Sequence, residues 1–527
     1  MIVFMKPLKS EDLFRSLYFM IHTVNKAVLE RGRGVKNGVV STRMGIKRDV
    51  IEAIHNCLIN REKDNISVVL NKIADDYSQK SLPGAIHNVR ASIGLDPLPS
   101  SPLTQVEVEE ALFANKTVKD PIVTVVPEMC EKCPDDIVVV SDLCMKCRSH
   151  PCDVVCPVGA VHVDPTRKNI TVIDPSVCIR CEKCIQVCPY TAILHKYRPC
   201  KAACGVEAIT IEKDGVSKIQ TKDCVSCGLC TVACPFGAII HKSEVGNVIT
   251  KLSNPRRKKH LAAIVAPAFI NQFTTSASPG DVFDAIKKCG FDSVIEVAFG
   301  ADLDTVEIAE KLKNKEEGDY IGTSCCPSWV RTVKTKAPSQ MKHIVPSYAP
   351  MVECAHALKQ MNPELEVVFV GPCIAKISET LDAHLKGLVE HAITFEEMQA
   401  IFDALNVKIG KTGKKLNQAS SYGRGYACAG GVASAVVSCA EKKFGLKNVK
   451  SYSAGTLAEC RRMLQGLEDG SIKVDVVEGM GCPGGCVGGA GTIAPIHKTA
   501  SKVKAFVKQA TLSLDKACNQ KFEDLLK

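Results

Sequence analysis

The sequence predicts a mixed α+β and α/β protein in three parts: an N-terminal helical region, a cysteine-rich middle and a C-terminal α/β domain. Three observations support this division. Apolar residues recur at helical spacing within residues 1–125. A short cysteine-containing phrase repeats between residues 126 and 250. From residue 258 onward, apolar strand-like runs alternate with amphipathic helical stretches, as in α/β proteins.

The composition favours metal binding. The chain has 527 residues and is 46% hydrophobic, which suffices for two or more cores. Its 28 cysteines far exceed ordinary usage, and the chain is much longer than a disulfide scaffold. The opening MIVFMKPLKSEDLF has no long apolar core, and no run elsewhere reaches about 18 apolar residues. We therefore expect a cytoplasmic protein with no membrane partner.

The first 125 residues predict a small helical domain whose role the sequence does not reveal. The stretches DLFRSLYFMIHTVNKAVLERG (12–32) and RDVIEAIHNCLINREKD (48–64) have apolar residues at helical spacing. Cys57, the one cysteine of this region, is predicted to be a core residue and not a ligand. The Pro- and Ser-containing stretch 92–105 predicts a linker or surface loop.

The middle region repeats one phrase four times, as CPVGAV, CPYTAI, CGVEAI and CPFGAI. Two of its cysteine runs have the C-x2-C-x2-C-x3-C-P spacing of bacterial ferredoxins, in which the fourth cysteine ligates the neighbouring cluster. A third run has two extra residues before its third cysteine. The runs are Cys178, Cys181, Cys184, Cys188; Cys224, Cys227, Cys230, Cys234; and Cys144, Cys147, Cys152, Cys156.

The crossing rule predicts four 4Fe-4S clusters in two tandem, two-cluster ferredoxin-like modules over residues 126–250. Zinc also uses paired C-x2-C motifs, but this x2, x2, x3, Pro spacing is typical of ferredoxins. The fourth cluster uses the upstream pair in EMCEKCP. The four sets are Cys144, Cys147, Cys152, Cys188; Cys178, Cys181, Cys184, Cys156; Cys224, Cys227, Cys230, Cys204; and Cys130, Cys133, Cys200, Cys234.

The formal charge of +10 does not indicate a nucleic-acid partner. That sum treats every cysteine as neutral, whereas four thiolates around a 4Fe-4S core carry a net charge of about −2 per site. Several such sites offset most of the positive charge. We therefore expect no nucleic-acid binding.

Residues 258–527 contain three cysteine-bearing loops: TSCCPSW (323–329), VGPCIAKISE (370–379) and EGMGCPGGCVGGAG (478–491). In α/β proteins such loops at the carboxyl ends of parallel strands carry function. Adjacent side chains diverge, so Cys325 and Cys326 are expected to serve different roles. A CPGGC segment alone also suits a redox pair or a zinc half-site. The glycine loop lacks the Lys-Ser/Thr ending of a phosphate-binding P-loop.

Together the three loops closely resemble the signature motifs of the iron-iron (FeFe) hydrogenases, and VAPA (265–268), FGADL (299–303) and AGGVASA (429–435) extend the resemblance. It implies a C-terminal catalytic domain, reversible reduction of protons to dihydrogen, and an H-cluster. In that family a cysteine-held 4Fe-4S cluster is bridged to a two-iron subsite with carbon monoxide, cyanide and dithiolate ligands. The implied ligands are Cys326, Cys373, Cys482 and Cys486, with Cys486 as the bridge.

The resemblance also implies roles around the cofactor. Cys325 would carry protons beside the two-iron subsite, and Lys376 would donate a hydrogen bond to cyanide. Met480, Ala266 and Pro267 match pocket positions. Ser347 matches the relay serine of the family and Glu379 the glutamate of the second motif. The cysteines that match no ligand position are expected to be structural: Cys289, Cys354, Cys428, Cys439, Cys460 and Cys518.

Several positions depart from the family pattern. Gly371 stands where the second motif usually has methionine, and Ser328 where the first usually has glycine. Two relay glutamates are usual after the GADL segment. Here ungapped alignment places Ile308 and Lys311 there, with Glu307 and Glu310 one residue off. The proton route beyond Cys325 is therefore unassigned by the sequence.

The sequence leaves two competing interpretations. Hydrogenase-like cluster-assembly factors carry 4Fe-4S clusters without a two-iron subsite, and they usually lack the cysteine doublet and the lysine. Hydrogen sensors usually replace the cysteine that stands here as Cys325. The enzyme interpretation implies a ferredoxin-type electron carrier and dedicated maturation enzymes as partners.

Overall fold

The computed structural model describes residues 39–80, 84–113, 118–167, 169–316 and 318–526. The expected helix over 12–32 lies outside these ranges, whereas the one over 48–64 is confirmed as far as residue 59. Four helices form the N-terminal region: α1 (Val39–Ile59), α2 (Ile66–Lys80), α3 (Ala85–Ser92) and α4 (Gln105–Phe113).

These helices pack into the same apolar core as the C-terminal part of the chain. Ile46, Val50 and Ile54 on α1 are fully buried, in one continuous cluster with Ile249 and Phe395. Cys57 belongs to this core and is 5% exposed, as predicted. The N-terminal helices thus share a core with later segments instead of enclosing one of their own.

One buried polar contact joins three parts of the chain within this core. Lys47 on α1 donates to Glu397 Oε1 at 3.0 Å, and His241 Nε2 lies 3.1 Å from the same oxygen. The carboxylate of Glu397 is fully buried. A charge at such depth is stable only when paired, so this contact ties the three parts together.

The cysteine-rich region consists of short two-stranded antiparallel sheets and one-turn helices. Strand β1 pairs with β8, β2 with β5, β3 with β4, and β6 with β7. The strands are β1 (Val123–Val125), β2 (Ile137–Val140), β3 (Val161–Asp164), β4 (Ile170–Ile173), β5 (Ile193–Lys196), β6 (Ile209–Ile211), β7 (Ser217–Ile219) and β8 (Ile239–His241); the helices are α5 (Pro151–Val154), α6 (Lys183–Val187), α7 (Pro199–Ala202) and α8 (Leu229–Ala233).

The β1–β8 pairing brings the two ends of this region together. Val123 pairs with His241 and Val125 with Ile239, and the ladder continues as Val126 N–H donates to the carbonyl of Ala238 at 2.8 Å. The segment directly after β1 therefore runs beside the segment directly before β8. This register places the upstream C-x2-C pair next to the last cysteine of the second module.

The C-terminal part contains two parallel sheets, with strand orders β10-β9-β12-β13 and β11-β15-β14. The first sheet is fully buried along β9. The predicted α/β character and the fold class as a whole are confirmed. The strands are β9 (Leu261–Val265), β10 (Ser293–Glu296), β11 (Ile321–Gly322), β12 (Glu366–Gly371), β13 (His391–Thr394), β14 (Ser451–Ala454) and β15 (Val476–Gly479).

Helices flank both sheets. None of those in the described ranges is long and apolar enough to cross a bilayer. They are α9 (Val245–Leu252), α10 (Pro279–Lys288), α11 (Ala298–Lys313), α12 (Pro327–Lys336), α13 (Pro350–Met361), α14 (Ile374–Glu379), α15 (Phe395–Ala404), α16 (Ser421–Gly425), α17 (Gly431–Phe444), α18 (Leu457–Glu468), α19 (Ile496–Lys508), α20 (Leu514–Cys518) and α21 (Phe522–Leu525).

Candidate functional site

Each of the three cysteine loops leaves the carboxyl end of a parallel strand. Cys326 follows β11 and precedes α12, where Pro327 occupies the first helical turn. Cys373 follows β12 in the same way and precedes α14. Cys482 and Cys486 lie in the glycine-rich loop after β15. Because β11 and β15 are parallel neighbours in one sheet, their loops meet at the same edge, and the loop after β12 of the other sheet reaches the same space.

The four thiols converge in that space. Burial, and then the charges of Cys373 and Cys326, raise the pKa of Cys482 well above its usual value. Burial followed by the same two neighbours also raises the pKa of Cys486. Four ionised thiolates at this depth would repel each other unless cations lay between them. The donor set therefore fits a cysteine-ligated iron-sulfur cluster.

The backbone of the loops is shaped around these thiols. The N–H groups of Trp329, Gly481 and Ser328 point at the Cys326 thiol and oppose the rise in its pKa that burial causes. Gly485 has φ of +92°, and a Cβ there would overlap the backbone nitrogen of Ala429. Only glycine combines that conformation with that close approach.

The two cysteines of the doublet have different surroundings. Cys325 is 9% exposed and packs in an apolar cluster with Tyr426 and Met480. Its thiol lies 3.9 Å from Thr323 Oγ1. Burial, and then the charge of Glu478, hold the pKa of Cys325 well above its usual value. The thiol is therefore neutral and retains a proton that it can give up.

Lys376 is a buried ammonium next to the four-thiol site. Its Nζ donates to Glu379 Oε2 at 2.7 Å and to the carbonyl of Cys325 at 3.3 Å. Burial opposes its charge, but Glu379 more than compensates and the pKa of Lys376 is raised. Both side chains are about nine-tenths buried. The pair places a fixed positive charge beside the thiols of Cys326 and Cys373.

The remaining predicted pocket residues lie around this centre. Met480 is 3% exposed, and its carbonyl accepts from Cys460 Sγ at 3.6 Å. Ala266 and Pro267 are buried at the end of β9, beside β12, where Ala266 N–H donates to the carbonyl of Val370 at 2.9 Å. Ala266 and Pro267 therefore lie directly after β9, outside the three cysteine loops, and in the part of the chain that the structure describes neither is hydrogen-bonded to one of the four thiols.

The space beside Gly371 is occupied by a neighbouring side chain. A Cβ at this position would overlap the ring of Phe369, two residues earlier on the same face of β12. The ring is 3% exposed. Phe369 thus fills the volume beside Gly371, where the family usually has methionine.

The accessory cysteines also gather in sets. Two small cavities are lined by four cysteines apiece. Arg198 and Ser217 also line the first, and Ser217 Oγ lies 3.4 Å from Cys200 Sγ. The first set is Cys130, Cys133, Cys200 and Cys234; the second is Cys144, Cys147, Cys152 and Cys188.

The other two sets are held by packing. Cys204 lies close enough to Cys224 and Cys227 to raise the pKa of both, after the larger effect of burial. Burial is also the first cause of the raised pKa of Cys230, followed by these three thiols. The cysteines between residues 144 and 188 form the outer module. There a small apolar cluster contains Cys156, Cys178 and Cys184, while Cys181 is exposed.

The upstream pair and the first C-x2-C segment of each of the three longer cysteine runs share one backbone feature. The residue before the second cysteine has a left-handed conformation in each, with φ of 48° at Lys132, 52° at Lys146, 58° at Arg180 and 54° at Ser226. A non-glycine residue rarely adopts this conformation. The upstream pair thus has the same backbone conformation before its second cysteine as the first pair of each of the three longer runs. In the described ranges no three His, Cys, Asp or Glu side chains surround one point as ligands of a single metal ion.

One accessory set abuts the C-terminal site. After the larger effect of burial, the charge of Cys373 raises the pKa of Cys227, and the charge of Cys227 raises the pKa of Cys482. Gly228 packs so tightly on Ile374 that a Cβ would overlap it. The set containing Cys227 therefore lies next to the four-thiol site.

Three titratable residues near Cys325 were not predicted from the sequence. Burial raises the pKa of Asp304 and of Glu478 to about 7 each, and Tyr426 donates a hydrogen bond to Asp304 at 3.3 Å. Glu478 accepts from the N–H groups of Gly430 and Ala433 at 2.8 Å each. Asp304 lies one helical turn before Ile308, and that spacing was the available signal.

The chain resembles known proteins over the same segments. Residues 259–490 match the family described as iron only hydrogenase large subunit, C-terminal domain. Residues 143–192 and 177–238 match 4Fe-4S dicluster domains. Cys130 and Cys133 lie outside both of these matches.

Two curated relatives are hydrogenases. Iron hydrogenase 1 of Clostridium pasteurianum is 24% identical over 303 residues, which is 47% of this chain and 52% of the relative. The periplasmic [Fe] hydrogenase large subunit of Nitratidesulfovibrio vulgaris is 25% identical, over 46% of this chain and 71% of the relative. The chain thus spans about half the length of the clostridial protein. A solved [FeFe]-hydrogenase HydA1 from Chlamydomonas reinhardtii matches with a TM-score of 0.42 and 19% identity, covering 54% of this chain and 92% of that one.

Proposed function

Because the chain belongs to the iron-only hydrogenase family, we propose that it is an FeFe hydrogenase that interconverts protons and dihydrogen at an H-cluster. The observation that carries the proposal is the convergence of Cys326, Cys373, Cys482 and Cys486 beside a buried, neutral Cys325 thiol. A cluster-holding protein without hydrogen chemistry needs the four ligands but has no use for the fifth cysteine.

When bound, the two-iron subsite supplies soft metal that polarises dihydrogen, and the linked 4Fe-4S cluster supplies or removes electrons. The chain's own residues do the rest. Four thiolates hold the cluster, and Cys486 is the bridging ligand in the family pattern. The ammonium of Lys376, fixed by Glu379, orients anionic ligands by charge-assisted hydrogen bonding.

Cys325 holds the proton at this site. Its thiol is buried among apolar side chains, which keeps it neutral and excludes bulk water. A thiol that keeps its proton next to the reacting metal can serve as general acid in one direction and, once emptied, as general base in the other. Cys326, one residue on, is committed to the cluster.

The accessory sets give electrons a path to and from the site. Cys227 adjoins Cys373, and the charge of Cys200, which belongs to the next set, adds to the effect of burial in raising the pKa of Cys230. Two of the four proposed 4Fe-4S clusters therefore lie in series. The outer module, which contains the other two cysteine sets, continues this series of clusters and reaches the surface at Cys181. Four accessory clusters form part of this proposal.

The electron carrier is proposed to dock on the outer module. Large apolar side chains stand exposed around its two cysteine sets, and such a patch on a protein surface marks a binding site for a protein partner. A small ferredoxin-type carrier fits, because it would bring its own cluster against Cys181. The exposed side chains are Leu143, Met145, Val154, Ile179, Tyr190 and Tyr197.

Dedicated maturation enzymes complete the proposal. No side chain supplies carbon monoxide, cyanide or a dithiolate, so the two-iron subsite must be made elsewhere and delivered. The four ligand thiols can receive a 4Fe-4S cluster before that delivery.

The proposal is tested by turnover of protein co-expressed with hydrogenase maturases. We expect dihydrogen evolution from a reduced one-electron donor. Cys325→Ala should lower it by roughly 10² to 10⁴-fold, with unchanged iron content, because a general acid is lost. The matched control is Cys289→Ala, a buried cysteine in a different apolar cluster from Cys325. Iron-replete wild-type protein without turnover would overturn the proposal in favour of a cluster-assembly factor or sensor. Full turnover in Cys325→Ala would overturn the role of Cys325 as the proton donor.

A further inference from the structure

A buried carboxyl lies on the outward side of Cys325. Asp304 on α11 is fully buried, and Ser347 Oγ donates to its Oδ1 at 3.1 Å. Ser347 Oγ also lies 2.8 Å from the hydroxyl of Ser324, the residue before Cys325. Tyr426 donates to the other carboxyl oxygen at 3.3 Å. A string of exchangeable protons therefore runs from the neighbour of Cys325 to Asp304.

We propose that Asp304, with Ser347 and Ser324, is the relay that carries protons between Cys325 and the surface, in place of the two glutamates usual in the family. The inference rests on the proposed function and deepens it. It assigns the proton route that the sequence leaves open.

Helix geometry explains how Asp304 can replace the two usual glutamates in the proton relay. The first usual glutamate position holds Ile308, whose side chain is fully buried and has no proton to give. Asp304 lies four residues earlier on the same helix, and residues spaced by four share a face. The carboxyl thus appears one turn earlier on the face that points toward Ser347.

The proton affinity of Asp304 suits a relay. Burial raises its pKa to about 7; the hydrogen bond from Ser347 lowers it, and the charge of Glu307 raises it. The titratable groups that face it are Glu307 on its own helix, Glu353 on α13, Tyr426 after α16 and Cys325 beyond the serines. A group with a pKa near the working pH both accepts and releases protons readily.

The outer end of the route lies at Glu307 and Glu353. Glu307 is one turn after Asp304, is about two-fifths exposed, and pairs with Lys311. Glu353 is the second carboxyl facing Asp304, and burial, followed by the charge of Glu307, raises its pKa. Both carboxyls lie near enough to Asp304 for their charges to raise its pKa, and water at the surface completes the route between them.

The transfer moves one proton and no electrons. The Cys325 thiol releases its proton to the serine pair, directly or through one water. Each hydroxyl accepts a proton and passes on its own, and Asp304 goes from carboxylate to acid. Asp304 then releases a proton toward Glu307 or Glu353 and returns to carboxylate. The reverse sequence delivers a proton to Cys325.

The test compares Asp304→Asn and Ser347→Ala with Glu310→Gln, an exposed carboxyl on the same helix. In maturase-treated protein, all variants should keep the carbon monoxide and cyanide infrared bands of wild type. Turnover should fall by roughly 10² to 10⁴-fold in Asp304→Asn and by less in Ser347→Ala, while Glu310→Gln stays at wild-type rate. Should Asp304→Asn fail to fold, Ser347→Ala carries the test.

A second measurement does not depend on turnover. The wild-type minus Asp304→Asn infrared difference should show the carbonyl stretch of a neutral carboxylic acid, shifted in heavy water and lost as pH rises through about 7. The difference is needed because Glu478 titrates in the same range. Wild-type turnover in Asp304→Asn, or an ionised Asp304 at pH 5, would overturn the relay. Wild-type protein with no carbon monoxide bands would instead overturn the proposed function.

Discussion

The hydroxyl of Ser328 donates a hydrogen bond to the backbone carbonyl of Val225, 3.1 Å away. Ser328 belongs to the first signature loop, and Val225 lies between two cysteines of the nearest accessory set. Both residues are buried. The serine that stands in place of the family's glycine therefore holds the loop of the accessory cysteine set against the four-thiol site.

Removing this clamp should cost stability. In Ser328→Ala the buried carbonyl of Val225 loses its partner, and we expect the free energy of unfolding to fall by about 1 to 2 kcal/mol. Thermal unfolding of the cluster-loaded protein measures the change. Thr335→Ala, at an exposed position of the same helix, should stay within about 0.5 kcal/mol of wild type. An unchanged melting temperature in Ser328→Ala would show that the contact contributes nothing.

The upstream cysteine pair should account for four irons. Replacing Cys130 and Cys133 together by alanine removes two of the four thiols that line one cavity. Because a 4Fe-4S cluster needs its cysteine ligands, the iron content should fall by about four per chain. Metal analysis beside Cys289→Ala provides the comparison. Equal iron in both proteins would remove this cluster from the account.

The N-terminal helices should prove integral to the fold. Lys47→Met removes the ammonium that pairs with the fully buried carboxylate of Glu397, which keeps its contacts with His241 and with the backbone N–H of Thr394. Breaking one side of a buried ion pair costs about 3 to 5 kcal/mol, and His241 should reduce that to about 2 to 4. Denaturant unfolding followed by circular dichroism tests it against the exposed Lys72→Met. A cost below about 0.5 kcal/mol would mean that Glu397 does not rely on Lys47.

Glu478 should make stability depend on pH. Burial raises its pKa to about 7, above the value of an unfolded glutamate, so the folded state binds the extra proton between about pH 4.3 and 7. Stability should therefore fall as pH rises through that window. Glu478→Gln cannot ionise and should lack this decline, gaining about 1 to 3 kcal/mol relative to wild type between pH 5.5 and 8.

The control for that prediction is Glu441→Gln, at an exposed position. Melting temperatures of cluster-loaded wild type and both variants at pH 5.5 and 8 give the comparison. Glu441→Gln should track wild type at both values. A constant gap between wild type and Glu478→Gln would show that Glu478 has an ordinary pKa.

The sequence predicted what depends on local spacing. Cluster loops place their ligands within a few residues, so the C-x2-C runs predicted sets of cysteines that the structure brings together, including Cys130 and Cys133 with Cys234. The strand-loop-helix pattern likewise predicted that Cys326 and Cys373 precede helices. These features need few long-range contacts to be specified.

Long-range packing could not be predicted in the same way. A helical pattern shows that α1 has an apolar face but not that this face lies against Phe395 in the C-terminal core. The family pattern places a relay position at Ile308, so the sequence did not predict a role for Asp304, one turn earlier. The filling of the space beside Gly371 by Phe369 also depends on a side-chain direction that spacing does not reveal.

Infrared spectroscopy of anaerobically purified, maturase-coexpressed protein tests the central claim most directly. The account predicts the stretching bands of iron-bound carbon monoxide and cyanide. It also predicts that these bands are lost when Cys486, the proposed bridging ligand, is replaced by alanine. A protein that carries its 4Fe-4S clusters but shows none of these bands, even after it is supplied with a synthetic two-iron cofactor, would contradict the account.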